Sequence, residues 1–270
     1  MAMSLADFNV EDAAAELESR VTGLTSTDDW QEMLATAARF HSYSFNNVML
    51  IEIQRPDATR VAGYRKWQSM GRQVLKGEKG IRIFAPMTKK DDAGDSVIFG
   101  FRLASVFDIS QTEGDEIPSL DDFVVEIDVD APLGWEGVVV DQLEAEGFTW
   151  EMGKVSLPGA NGVTRWLDSS VVIADRLNGG HAFKTSIHEL AHVKLHDRDD
   201  DRELPCRGHR EVEAESVAFI VSQALGVPTG DYSFGYIASW AERADKGVIR
   251  EAMTRVQSCA KSILKEWEPE

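Results

Sequence analysis

The stretch TSIHELAHVKLHD, residues 185–197, constrains this chain more than any other. Its apolar residues recur at helical spacing, and the helix they define turns His188 and His192, four residues apart, toward one side. His188-Glu189-Leu190-Ala191-His192 is an HExxH motif: two imidazoles offer nitrogens to one Zn²⁺, and Glu189 stands beside them as a general base for a water. A catalytic zinc also needs a third protein ligand and an open fourth position. His196 is tempting, but the pattern that carries a histidine round a glycine turn is absent, because Leu195 holds the glycine position and Arg198 the histidine position. The acids of EVEAE answer better. Glu211 and Glu215 share a helical face while Glu213 points elsewhere, so Glu211 is read as the third ligand and Glu215 as the acid that orients a ligand histidine. Tyr232, Tyr236 and His209 are candidates for stabilising an oxyanion, and Cys206 reads as an ordinary loop thiol.

The surroundings of the motif read as a domain. A helix is expected near 136–146, then a hairpin over 148–174 with its turn at PGANG. VVIAD, just before the motif helix, is expected to form a substrate-binding edge. The helix HREVEAESVAFIVSQALG stops at Gly226 with Pro228 beyond it, and the segment from Ser233 to Trp267 is mostly helical.

The first half differs. Residues 7–22 and 28–41 have helical spacing (Ala14, Leu17, Val21; Trp30, Met33, Leu34, Ala37, Ala38), SFNNVMLIEIQRP is a third helix stopped by Pro56, and YRKWQSMG is a short one closed by Gly71. GIRIFAP and SVIFGFRLASVFDIS read as antiparallel strands. The expected fold class is α+β: a helical, small-antiparallel-sheet N-terminal domain over residues 1–130, then a zincin-like metallopeptidase domain over 131–270. The acidic, loop-like stretch from Gln111 to Gly134 marks the boundary.

Length and charge set limits on function. A chain of 270 residues, 43% of them hydrophobic, can bury two modest cores. No apolar run is long enough to span a membrane, and the start lacks a basic then apolar leader, so a cytoplasmic protein with no membrane partner is expected. Cys206 and Cys259 form no CxxC pair, which argues for reduced thiols. A net charge of −18 alone would repel nucleic acid, yet residues 55–90 carry +8 against −26 for the rest. That asymmetry fits either a local basic binding surface or a solvated face paired with acidic helices.

Aromatics and carboxamides interleave with these cations in FHSYSFNNVML, Gln54 and GYRKWQSMGRQVLKGEKG, the mixture of stacking surfaces and basic groove that single-stranded nucleic acid requires. The run from HSYSFNNVML to GIRIFAP, followed by VFDISQTEG, resembles the N-terminal domain of the ArdC antirestriction proteins; HELAH with REVEAESVAFIV is similar to the gluzincin-like zinc metallopeptidase domain behind it. The resemblance implies a single-stranded-DNA-binding domain joined to a zinc metallopeptidase, carried by plasmids or phages and protecting incoming DNA from restriction. By position it implies DNA contacts at Ser44, Asn46, Asn47, Gln54, Trp67, Arg72, Lys76 and Lys79, and a site of His188, Glu189, His192 and Glu211 acting on an unidentified protein substrate. The zinc helices also resemble the ImmA/IrrE metallopeptidases, which leaves two alternatives: a regulatory protease acting on a repressor or other protein, or a DNA-protection protein whose metal site is not proteolytic.

Overall fold

The computed structural model describes residues 13–15, 17–19, 27–90, 95–116, 127–128, 131–157, 159–177, 179–196, 207–227 and 246–267. Two compact units divide the chain: one takes residues up to 23 and 43–119, the other 24–42 and 120–270. Helix α1 (Thr27–Arg39) therefore belongs to the second unit, a departure from the expected boundary, which places it in the first domain. Its buried Trp30, Met33, Leu34, Ala37 and Ala38 recur at helical spacing, with Asp28 and Asp29 favourably placed in the first turn.

The first unit is built on a three-stranded antiparallel sheet. Helix α2 (Phe45–Gln54) is followed by β1 (Val61–Gly63), α3 (Tyr64–Ser69), β2 (Arg72–Val74), β3 (Ile81–Lys90), β4 (Ser96–Asp108), a 3₁₀ turn (Ile109–Gln111) and β5 (Thr112–Gly114). The sheet order is β1-β4-β3, and β2 pairs separately with β5. Phe45, Val48, Met49, Leu50 and Ile51 of α2 meet a core that includes Ile81, Ile83, Val106 and the fully buried Trp67.

Because β3 is an edge strand, its outer main-chain groups need partners, and two carboxamides of α2 supply them. Asn47 donates to the Phe84 carbonyl at 2.9 Å and accepts from the Phe84 N–H at 2.8 Å. Gln54 does the same for Arg82, at 2.8 Å in each direction. The far end of the sheet turns on Asp108, whose carboxylate accepts the N–H groups of Thr59 and Arg60 and both the N–H and hydroxyl of Ser110.

In the second unit, a short ladder of β6 (Ile127–Asp128) and β7 (Ala131–Pro132) leads into α4 (Trp135–Ala145). Next come β8 (Thr149–Gly153), β9 (Gly162–Arg165), β10 (Ser170–Ala174), α5 (Gly179–Leu195), α6 (Arg207–Ala224), α7 (Lys246–Leu264) and a terminal 3₁₀ turn (Lys265–Trp267). The expected hairpin over 148–174 is not what forms. β8 pairs in parallel with β10, and only β9 and β10 make an antiparallel hairpin, in the order β8-β10-β9. Of PGANG, residues 159–161 thus lie on the path from one flank of β10 to the other, and Gly162 opens β9. The VVIA of VVIAD lies in β10, the buried centre of the sheet, with Val171, Val172, Ile173 and Ala174 all buried, and Asp175 follows it, exposed. The edge beside the motif helix is β9.

Helix α5 buries Ala182, Phe183, Ile187, Leu190 and Ala191 on one face, and each large apolar side chain contributes about 1.5–3 kcal/mol to holding it there. Trp135 meets Trp150 and Phe183 edge to face below it. Helix α7 fills the remaining side with Ile249, Met253, Val256, Ala260 and Ile263. From α7, Gln257 reaches the carbonyls of Ala37, Phe40 and His41 at 3.4 Å each, and Lys261 that of Ser42 at 2.7 Å. Among the described residues, no helix is long and apolar enough to cross a membrane.

Candidate metal centre

With one face of α5 committed to the core, the stripe that includes Thr185, His188, Glu189 and His192 opens onto a cleft of about 940 Å³. Helix α6 lines the same cleft with Arg210, Glu211 and Glu215. The Nε2 atoms of His188 and His192 lie 3.1 Å apart, and Glu211 Oε2 lies 3.4 Å from the first and 3.6 Å from the second. Ligands at about 2.0–2.1 Å from a tetrahedral ion stand about 3.3–3.4 Å from one another, so these three atoms form nearly one face of such a tetrahedron. Among the described residues, His188, His192 and Glu211 are the His, Cys, Asp or Glu group that converges closely enough to hold a metal ion.

Both imidazoles are held from behind. His188 Nδ1 lies 3.1 Å from Glu215 Oε2, and Glu215 also faces Lys184 Nζ at 3.7 Å. A carboxylate accepts the Nδ1 proton and leaves Nε2 free for a metal. Burial opposes a charged His188, but its hydrogen bonds to Glu211 and Glu215, with the charge of Glu189, outweigh burial and push its pKa up to about 10. The His188 ring, and after it the His192 ring, beside Glu211 in turn hold its carboxyl far below the usual carboxylate range. The cluster is an anion-rich pocket that draws in positive charge, whether protons or a metal ion.

Glu189 is 7% exposed, and its Oε2 accepts a hydrogen bond from the Thr164 hydroxyl at 2.7 Å. Thr164 comes from edge strand β9. In the same strand Gly162 leaves the room Glu189 needs: a Cβ there would stand 2.8 Å from Glu189 Oε1 and 2.8 Å from Thr185 Cγ2. The Asn161 carbonyl accepts from the Ala174 N–H at 2.8 Å. By the alternation of an antiparallel ladder, the main-chain groups of Gly162 and Thr164 then face away from β10, along the open edge.

His196 is not a ligand, and its role is one that the sequence reading misses. Its Nδ1 lies 3.0 Å from His192 Nδ1 and its Nε2 lies 3.0 Å from Glu213 Oε2. Glu213, 1% exposed, also accepts from Arg255 Nε of α7 at 2.9 Å and lies 3.2 Å from His209 Nε2. Burial alone would raise Glu213, but His196, His209 and Arg255 reverse this and bring it down to about 2; burial lowers His196. The signal available in the sequence is His196 itself, four residues past His192 on the same helical face. His209, one of three candidates for an oxyanion donor, is fully buried on Glu213, away from the cleft. Tyr232, Tyr236 and Cys206 lie outside the described residues.

Four of the eight expected DNA contacts make bonds within the framework. Asn47 and Gln54 brace β3 as described. Trp67 is fully buried and its indole donates to the Phe107 carbonyl at 2.9 Å, so its ring is not a surface for stacking. Arg72 lays its guanidinium on the Thr112 hydroxyl and the carbonyls of Thr112, Gly114 and Asp115, tying β2 to β5. Ser44, Lys76 and Lys79 are exposed and Asn46 is half-buried. The sequence reading also passes over the outer half of the β3–β4 hairpin, where Phe99 and Phe101 are 57% and 56% exposed beside exposed Lys89, Lys90 and Arg102. An apolar run on a solvent-facing strand is the cue.

Known proteins give the wider frame. Residues 13–124 match the family described as the N-terminal domain of anti-restriction factor ArdC. An "Uncharacterized protein" of Bacillus anthracis is 25% identical over an alignment 279 positions long, which covers 83% of this chain and 46% of that protein; the chain spans about half the length of this relative. The metal-free crystal structure of antirestriction ArdC protein from R388 plasmid aligns with a TM-score of 0.50 at 20% identity, over 82% of this chain and 84% of that one. Its Mn(II)-bound structure aligns at 0.49 and 20% identity, over 82% and 83%. The metal centre lies outside the family match and rests on its own geometry. The metal-free likeness speaks for the α+β fold, and residues 13–124 are similar to the N-terminal domain of anti-restriction factor ArdC.

Proposed function

We propose that the second unit is a zinc-dependent metallopeptidase, that the ArdC-type domain binds single-stranded DNA, and that the protein works in the cytoplasm in antirestriction. The observation that carries the enzymatic part is the near-tetrahedral face of His188, His192 and Glu211, opening on a cleft that Glu189 also lines. Two imidazoles and a carboxylate suit Zn²⁺ better than harder ions. Three ligands facing a cleft favour a catalytic over a closed structural site.

Zinc, when bound, supplies Lewis acidity, which polarises a peptide carbonyl and makes a water acidic enough to lose its proton near neutral pH. The chain's own residues do the rest. Glu189, steadied by Thr164, takes that proton and passes it to the leaving amine. The free main-chain groups of Gly162 and Thr164 align an extended segment of the protein substrate as an added strand.

For DNA, Ser44, Asn46, Lys76 and Lys79 remain the surface candidates, joined by Phe99 and Phe101 as stacking rings with Lys89, Lys90 and Arg102 as phosphate contacts. The test has two arms. Glu189→Gln is expected to keep zinc and lose peptide hydrolysis; retained cleavage rejects the mechanism. Titration of single-stranded and duplex DNA at two salt concentrations is expected to show salt-sensitive preference for single strands. Hydrolysis without DNA binding favours a regulatory protease of the ImmA/IrrE kind, and DNA binding without hydrolysis favours protection by a non-proteolytic protein.

A further inference from the structure

The two ligand histidines are oriented by different means. His188 meets a carboxylate directly, whereas His192 meets the imidazole of His196, and a carboxylate appears only one step further on, at Glu213. We propose that Glu213 and His196 form a relay that sets the tautomer of His192 and so keeps its Nε2 lone pair aimed at the metal, with Arg255 fixing the direction of the relay. The inference rests on the metal-site reading above.

Hydrogen-bond complementarity decides each step. Glu213, ionised and buried among Arg255, His209 and His196, can only accept, so His196 must donate to it through Nε2–H. A neutral imidazole that donates at Nε2 accepts at Nδ1. His196 Nδ1 lies 3.0 Å from His192 Nδ1, so the proton between them belongs to His192. His192 then carries Nδ1–H, and its Nε2, 3.1 Å from His188 Nε2, is the unprotonated nitrogen. The chain of bonds runs from α7 through α6 to α5; His196 and Glu213 are buried, and the side chains of His192 and Arg255 are 15% and 27% exposed. His196 and Glu213 are positioning residues: neither reaches the metal, and both act through His192.

Arg255 makes the relay testable with one isosteric change. In Glu213→Gln the side-chain carbonyl must face Arg255, which has only donors to offer, and the amide NH₂ is left facing His196. The polarity then inverts: His196 accepts at Nε2 and donates at Nδ1, and His192 is driven to the Nε2–H tautomer, with a proton where the metal should sit. Removal of an orienting partner of a ligand histidine typically weakens metal binding about 10–100-fold, and an inverted partner belongs at the upper end of that range.

Two measurements on the 270-residue protein decide it. Nitrogen-15 spectra of the histidine side chains in metal-free wild type are expected to show His192 as the Nδ1–H tautomer; Nε2–H would overturn the proposal with no variant needed. Zinc titration against a chromophoric chelator is expected to show Glu213→Gln weakened about 100-fold, with the His192 signature switched to Nε2–H. A variant that folds and keeps both wild-type affinity and the wild-type tautomer also overturns it. Failure of wild type to bind zinc would overturn the metal reading instead, while the tautomer, read without metal, would still judge the relay.

Discussion

Thr164 donates its hydroxyl hydrogen to Glu189 Oε2 at 2.7 Å, so the expected general base is held by the edge strand along which a substrate would lie. Thr164→Val keeps the shape and removes the donor. The expected outcome is a fall of about ten-fold in kcat, the kinetic equivalent of roughly 1.4 kcal/mol, with zinc affinity unchanged. Steady-state hydrolysis of a fluorogenic peptide library alongside zinc titration checks it. A loss confined to KM would place Thr164 in substrate binding instead.

Gly162 is required by space. Its added Cβ would press on Glu189 and Thr185, so Gly162→Ala is expected to cost about 1–3 kcal/mol of stability. Gly137, inside α4, has nothing within 4 Å of an added Cβ. Gly137→Ala should gain about 0.5–1 kcal/mol from helix propensity. Urea unfolding of both variants gives the contrast.

Asn47 separates bracing from DNA contact. Replacing it by Ala strands the N–H and carbonyl of Phe84 in a half-buried setting and is expected to destabilise the first unit by about 2–3 kcal/mol. The salt slope of DNA binding should stay as in wild type, because a neutral amide releases no counterions. Paired Lys76→Gln and Lys79→Gln changes should flatten that slope by about one to two units without altering stability.

Asp108 predicts acid sensitivity. Burial acts to raise its pKa, but the hydrogen bonds from Ser110, Arg60 and Thr59 outweigh it and hold the carboxyl below its ordinary 3.8. A group depressed in the folded state contributes stability above its unfolded pKa, and the contribution fades as pH falls through the folded value. Wild type should therefore exceed Asp108→Asn in unfolding free energy at neutral pH, with the gap closing below the ordinary carboxylate value. A gap constant across acid pH would count against the ionised cap.

What is legible in the sequence is what depends on local spacing. HExxH and the Glu211/Glu215 pair are each relations of three or four residues on one helix, and the structure brings these side chains together. The strand pairing is not legible: β9 and β10 are sequence neighbours with a hairpin signal, but nothing local says that β8 lies parallel on the far side of β10. Residue type is equally silent about Asn47, Gln54, Trp67 and Arg72, since a brace and a DNA contact use the same chemical groups. Glu213 needs Arg255, 42 residues away, before its role can be seen.

The early helix Thr27–Arg39, counted with the unit that holds the candidate metal centre, bears on how such a gene can be cut and joined. A chain shortened to begin at residue 131 would leave bare the apolar seat of Trp30, Met33 and Leu34. It would also strip Ser216 of the Trp30 indole, which donates to its hydroxyl oxygen at 3.2 Å. The halves are interlaced along the chain and not strung end to end. Recombination that shuffles one of them as a cassette must carry residues from both sides of the other.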